Sequence, residues 1–278
     1  MLLLGLFLIF LSSLLGEFSD SVGKKQISLG KENLYFLGFI NFFWAALFFL
    51  VIGLVRDSFV FSLASLPTLL PRLVLEIAQA QVGLMALVRA DRSTFSFLRV
   101  LTIPLLLLID LFLGYHLSLA QLLGLGVITI GIILVSRGLS WRGSGYALFT
   151  AVNAVITISL YKYDITHFNS VEAEQGIVTV VLLLYFLIIV LLTRPRDLLA
   201  LKQPLFLGQY FSVGAGTYLA SLAYNFAPAS IVTGAKRAFD LLTAVFSGHF
   251  YFKERRFTFK LLALGFIAIG IILMFLSA

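Results

Sequence analysis

Four basic residues, Arg72, Arg99, Lys236 and Arg237, and four acidic ones, Glu17, Asp20, Glu76 and Asp240, stand inside long apolar runs of this chain. A lone charge at the middle of a bilayer costs about 2.5–3.5 kcal/mol on insertion scales, so such residues pair or face a polar cavity. The spacings allow pairing. Arg72 and Glu76 are four apart, as are Lys236 and Asp240, and Arg237 and Asp240 are three apart; all are same-face neighbours on a helix. Lys236 and Arg237 point about 100° apart, however. Asp240 is therefore expected not to neutralise both, leaving a cation to meet another helix or an anionic ligand. Glu17 and Asp20 suggest a second chemistry. A carboxylate in a low-dielectric site holds its proton more tightly and exchanges it near neutral pH, which proton coupling requires. The alternative for both is simple pairing with Arg99 or another intramembrane cation.

The elements that would position these groups are apolar and long. Mean hydropathy is +1.05, hydrophobic residues make up 60% of the 278, and charged ones only 12%. Such a chain needs lipid as its solvent. There is no cysteine, which excludes disulfides and thiolate chemistry. The net charge of +7 sits in short loops, where it reads as membrane orientation and not as a nucleic-acid surface. Ten segments of roughly spanning length lie near 2–22, 34–55, 66–88, 94–113, 119–136, 144–162, 174–192, 204–224, 228–250 and 258–277. Within the last, LLALGFIAIGIIL (261–273) nearly copies LLGLGVITIGIIL (122–134), an offset of 139, half the chain. Five helices per half is odd, so the second half enters the membrane from the opposite side. The expected fold is an all-α integral membrane protein, ten transmembrane helices in two inverted five-helix repeats, 1–139 and 140–278, an architecture common among secondary transporters.

The repeat sharpens the site. With one residue of adjustment, RVLTIPLLLLIDLF from Arg99 aligns with RAFDLLTAVFSGHF from Arg237. The two arginines would then approach a common axis from opposite halves, and sites in such folds lie near the midplane at the repeat interface. Gln79, on a polar face with Arg72 and Glu76, aligns with Tyr218, and both are candidate solute contacts. No phosphate-binding glycine loop, metal cluster or hydrolase elbow is present, and the three histidines are scattered. Neither a metal nor a cofactor is expected. Arg56 and Lys162 are the basic residues of one set of loops, whereas the other set is rich in Lys and Arg, including Lys24, Lys25, Arg89, Arg92, Lys253 and Lys260. The positive-inside rule puts the rich side in the cytoplasm and both termini outside.

The run AYNFAPASIVTGAKRAFDLLTAVFSGHFYFKERRFTFKLLALGFIAIGIILM (223–274) combines an A-P-A-S turn, a Lys-Arg pair, Glu254 in an F-x-E pattern and a G-x-x-x-x-G helix. In these features, with 90–93 (ADRS) and Pro104 in the first half, the chain resembles the EamA-like ten-helix members of the drug/metabolite transporter superfamily. His116 stands near where that family's pattern would place a first-half glutamate, so Glu254 is read as structural. Lys236-Arg237 is similar to the pair that binds substrate phosphate in phosphate and nucleotide-sugar translocators. Glu17 followed by Lys25 resembles helix 1 of small multidrug resistance proteins, whose glutamate carries the proton. Family members usually have cytoplasmic termini, the opposite of the loop-charge expectation, and the loop charge is preferred here.

The functional expectation is a secondary active transporter, not an enzyme, in the cell (inner) membrane. It would move a small anionic or zwitterionic metabolite by alternating access, with Arg99, Lys236, Arg237, Tyr218 and Gln79 contacting the solute and Glu17 or Asp20 coupling protons. Its expected partners are that solute and membrane lipid, with no nucleic acid, as a monomer or homodimer. The alternatives are a non-transporting membrane interaction protein and a lipid-linked sugar flippase.

Overall fold

The computed structural model describes residues 2–30, 33–112, 118–136, 141–193, 204–226 and 229–275, and among these the protein is all-α. The helices are α1 (Leu2–Ser28), α2 (Leu34–Val55), α3 (Leu66–Arg89), α4 (Arg92–Arg99), α5 (Thr102–Phe112), α6 (Leu119–Ser136), α7 (Ser144–His167), α8 (Val171–Thr193), α9 (Pro204–Ala223), α10 (Ala229–Phe250) and α11 (Phe257–Phe275). Residues Ala227, Pro228 and His116, which the sequence singles out, lie outside the described residues.

Five of the helical stretches are long and apolar enough to cross a membrane: Leu3–Ser28, Leu34–Val55, Leu63–Arg89, Ser144–His167 and Val171–Thr193. A helix satisfies its own backbone groups, which lipid cannot do. The outer faces are apolar as well, with Phe7, Leu54, Ile188 and Leu192 all exposed. The core instead holds polar side chains, among them Arg72, Arg92, Arg237 and Glu174. Apolar side chains thus cover the outside as well as much of the inside, and the charged ones are buried against each other, as expected in lipid.

The main packing pairs are α2 with α8, α6 with α11, α1 with α9 and α10, and α3 with α7; α10 also packs on α4. The α6–α11 pair carries the duplicated sequence. A Cβ on Gly270 would sit 2.7 Å from the Gly124 carbonyl oxygen, so only glycine lets the two backbones come this close. Ile128, Ala263, Ile267 and Ile271 fill the same seam, with Leu241 and Val245 of α10 joining from the side.

Three boundaries differ from the sequence expectation, and the first is α1, which runs past 22 to Ser28 and takes in Lys24 and Lys25. The segment near 94–113 is two helices, not one, interrupted at Val100-Leu101. Pro104 explains the break: it has no N–H for the Val100 carbonyl, and its ring crowds that carbonyl. The chain tightens, with Val100 N bonding Phe97 O at 3.1 Å and Leu101 N bonding Leu98 O at 3.2 Å. The Thr102 hydroxyl takes up the Arg99 carbonyl at 2.6 Å. Pro104 then falls in the first turn of α5, where it is tolerated. Likewise 166–174, expected as a loop, is largely helical. α7 continues to His167, α8 begins at Val171, and Glu172 and Glu174 are buried in the first turn of α8.

Candidate functional site

Charged side chains gather in three places, the first at the basic end of the helices. Arg92, expected in a loop, opens α4 with its side chain only 2% exposed. Its guanidinium takes both carboxylates of α1. Nη2 donates to Glu17 Oε2 at 2.6 Å and to Asp20 Oδ2 at 3.1 Å, and Nε donates to Glu17 Oε1 at 3.2 Å. Ser21 donates to Glu17 Oε1 at 2.9 Å, and Ser247 of α10 donates to the same oxygen. Glu17 and Asp20 are thus paired, and the partner is Arg92, not Arg99.

Behind this cluster, Glu254 binds the start of α4. It accepts from the Arg92 backbone N–H at 2.7 Å, the Ser93 hydroxyl at 2.5 Å and Lys260 Nζ at 2.8 Å. Asp91, the N-cap residue, makes no side-chain cap bond of its own, so Glu254 serves instead, with the helix dipole favouring its charge. Burial alone would raise the carboxyl pKa; Lys260, Ser93 and the Arg92 N–H outweigh it and hold Glu254 below its ordinary value. A Cβ on Gly248 would sit 2.7 Å from Glu254 Oε2, so glycine makes room for the carboxylate.

The second cluster surrounds the α4–α5 break and the middle of α10. Asp240 reaches both α10 cations, contrary to expectation: Oδ1 pairs with Lys236 and Oδ2 lies 3.8 Å from Arg237 Nη1. The two carboxylate oxygens diverge enough to span side chains 100° apart on the helix. At 3.8 Å the second contact is an ion pair without a hydrogen bond. Arg237 Nε and Arg99 Nε are buried and have no hydrogen-bond partner among the described residues. Arg99 lies over the Phe95 ring at 5.1 Å and makes no ion pair within 4 Å among them. Asp240, Arg237 and Tyr224 lie within electrostatic reach of one another and of Arg99, as does Asp20 of Arg99. Four cations (Arg92, Arg99, Lys236 and Arg237) therefore face three carboxylates (Glu17, Asp20 and Asp240) across the two clusters.

Tyr224, whose hydroxyl pairs with Thr233 at 3.0 Å, brings an aromatic hydroxyl to this centre beside the Phe95 ring. The sequence instead favoured Tyr218 and Gln79 for solute contact. Tyr218 accepts from Arg56 at 3.2 Å, donates to Glu172 at 3.3 Å and packs on Phe49. Arg56, exposed at the end of α2, has its pKa raised by the Tyr218 hydrogen bond and by Glu172. Gln79 donates to the Thr150 carbonyl at 3.1 Å and accepts from Asn153 at 2.9 Å, tying α3 to α7. Neither is joined to Arg99, Lys236 or Arg237 by a hydrogen bond among the described residues.

The third cluster lies where α7 ends and α8 begins. Arg72 pairs with Glu174 of α8 at 2.5 Å, a closer contact than its expected partner Glu76, which is 3.6 Å from Nε. Its guanidinium also faces the Tyr161 ring at 4.7 Å. Tyr161 packs edge-on against Tyr224 at 5.3 Å, so aromatic rings link this cluster to the second. Sequence spacing could find only the intrahelical pair; Glu174 lies 102 positions away on another helix.

No family model matches this chain, and no curated protein matches it. It is similar in fold to a solved crystal structure of a protein, with a TM-score of 0.69 at 14% sequence identity, over 99% of this chain and 97% of that one. At that identity the likeness concerns the fold alone. Among the described residues the chain is all-helical, with five helices long and apolar enough to cross a membrane and charged side chains buried in separate clusters.

Proposed function

We propose that the chain is a secondary transporter for a small anionic or zwitterionic solute, held between α4 and α10 by Arg99, Lys236 and Arg237. The observation that carries this reading is the pair of buried, unbonded Nε donors on Arg99 and Arg237, beside a carboxylate already engaged by Lys236. A buried donor without a partner costs about 1–3 kcal/mol, more when charged, and a bound carboxylate or phosphate would recover it in fork-like geometry. The interruption beside Arg99 supports the same reading, because broken helices line substrate sites in transporters.

The packing pattern supports ten spans in two inverted repeats. Moving each helix by half the chain exchanges the α1–α9 contact with the α7–α3 contact, and returns α2–α8 and α6–α11 to themselves. Rocking of one half against the other would open the Arg99–Arg237 region to each side in turn. The resemblance to EamA-like drug/metabolite transporters agrees with this mechanism, and the basic loop of Lys253, Arg255 and Arg256 favours that side as the cytoplasmic one of a cell (inner) membrane. Flux in reconstituted vesicles tests the proposal. Lys236→Ala and Arg237→Ala should abolish uptake of any solute the wild type carries; unaltered flux in both would remove the assigned site.

A further inference from the structure

We infer that the groove between the end of α3 and the start of α7 binds one anionic phospholipid, its phosphate on Arg89 and an acyl chain along Phe149. The groove is about 410 Å³ and is lined by Val82, Gly143, Gly145, Tyr146 and Phe149, an almost wholly apolar surface. Small-molecule sites span about 300–1,000 Å³, so there is room for a ligand of this kind. It opens to the outer face, where Phe149 and its neighbour Leu148 are exposed. Two glycines shape it. Gly143 has a φ of +74°, and a Cβ there would stand 2.8 Å from Ala90 N, so glycine lets α7 start hard against the end of α3. A Cβ on Gly145 would meet nothing within 4 Å, so glycine leaves room on that side of the groove.

The charge is at the rim. Arg89 ends α3, is exposed, and lies over the Tyr146 ring at 5.1 Å while its Nη1 donates to the Tyr146 hydroxyl. No carboxylate lies within ion-pair distance of it among the described residues. The acidic groups at this end of the bundle, Glu17, Asp91 and Glu254, lie instead within electrostatic reach of Lys24 on α1. A guanidinium has five N–H donors, so Arg89 can keep Tyr146 and still offer a fork to a phosphate. Arg142, also exposed, adds a second positive charge beside Gly143. Trp141 is exposed too, and its carbonyl accepts the Ser144 N–H at 3.2 Å, which holds it at the start of α7. Tryptophan favours the headgroup level of a bilayer. Groove and charge together name the ligand. A soluble anion would leave the apolar groove unused, and a neutral lipid would leave Arg89 without a counter-charge. An anionic phospholipid uses both, as in basic pockets between transmembrane helices on the cytoplasmic side.

This site does not depend on the transport reading, and fluorescence of the full chain tests it. The chain has two tryptophans, so Trp44→Phe leaves Trp141 as the reporter. In nanodiscs of phosphatidylcholine with a minor share of phosphatidylglycerol, bromine on the acyl chains of one lipid or the other quenches Trp141 when that lipid lies beside it. One arginine near an anionic headgroup is worth about a fivefold preference, so brominated phosphatidylglycerol should quench about fivefold more per molecule. Arg89→Gln should remove that preference. Arg255→Gln, which deletes a charge from the exposed loop after α10, should keep it. Gly145→Leu puts a side chain into open space and should also remove the preference, so the question stays decidable if Arg89→Gln does not fold. Equal quenching by the two lipids in Trp44→Phe, or a preference that survives both Arg89→Gln and Gly145→Leu, would overturn the site. Quenching by neither lipid, the result if a second copy of the chain covers this face, would overturn it as well. Vesicle flux is read separately: a lipid preference with no flux of any solute would remove the transporter reading and leave the lipid site standing.

Discussion

Glu254 accepts the backbone N–H of Arg92 at 2.7 Å, so a loop residue between α10 and α11 caps a helix 162 positions earlier in the chain. The same Arg92 carries the side-chain pairs to Glu17 and Asp20. Anchoring at the backbone aims the guanidinium, so α1, α4 and the α10–α11 loop meet at Arg92, and Ser247 of α10 joins through Glu17.

Glu254→Ala is expected to destabilise the protein by about 3–5 kcal/mol, because it leaves the buried Lys260 ammonium without its partner. The pH dependence follows from the lowered folded-state pKa of Glu254. A depressed carboxylate contributes stability that is complete above its unfolded value, about 4.3, and is lost as pH falls through the folded value. Thermal melts in nanodiscs should therefore lose stability on acidification below about pH 4 in the wild type. Glu254→Gln should start lower at neutral pH and lose less over that window. An equal acid loss in both proteins would show that Glu254 is not the group responsible.

The Arg92–Glu17 contact should behave as a coupled pair. Arg92→Met and Glu17→Gln are each expected to cost about 3–5 kcal/mol, since either leaves a buried charge short of its partner. The double variant should cost less than the two singles together, with a coupling of about 0.5–3 kcal/mol. Strict additivity in a double-mutant cycle would contradict the geometry.

Pro104→Ala restores an N–H for the Val100 carbonyl and permits one continuous helix from α4 through α5. The variant should melt no lower than the wild type, because Pro104 costs little in the first turn of α5 and alanine fits either arrangement. Its flux should fall, because the interruption beside Arg99 would close. A variant that is as stable and transports at the wild-type rate would show that the break serves only the fold.

Gly270→Leu places a side chain against the Gly124 carbonyl, where even a Cβ would be at 2.7 Å. Overpacking of this kind costs about 1–3 kcal/mol. Gly265, whose Cβ would meet nothing within 4 Å, should accept alanine at little cost. Melting temperatures of the two variants make the comparison.

The sequence is legible where one residue's neighbours along the helix decide the outcome. The apolar runs, the duplicated 122–134 and 261–273 segments, and the Lys236–Asp240 pair all depend on spacing of at most one helical turn or on direct repetition. What spacing cannot reveal is a partner on another helix. Arg72 sits four residues from Glu76, yet its closest carboxylate is Glu174, 102 positions away. Arg92 looks like loop charge because it follows a polar run, and its burial depends on Glu17 and Asp20 from α1. The break in the fourth apolar segment was readable in principle, since Pro104 stands in the middle of 94–113 and cannot donate to the Val100 carbonyl. The apolar character of 100–109 masked it. Tyr218 and Tyr224 both belong to polar positions of α9 and its end, and only packing distinguishes the one beside Glu172 from the one beside Arg237.

The central claim is that Arg99, Lys236 and Arg237 hold an anionic group. Thermal stability of the full chain in nanodiscs, measured against a panel of small carboxylates and phosphate esters, tests it most directly. A bound solute at about 100 times its Kd adds about 2.7 kcal/mol to stability. The account predicts that at least one anion stabilises the wild type and Tyr218→Phe alike, and that Arg99→Gln, Lys236→Gln and Arg237→Gln each abolish the effect. Stabilisation that persists undiminished in all three variants, or a panel in which only cations stabilise the wild type, would contradict it.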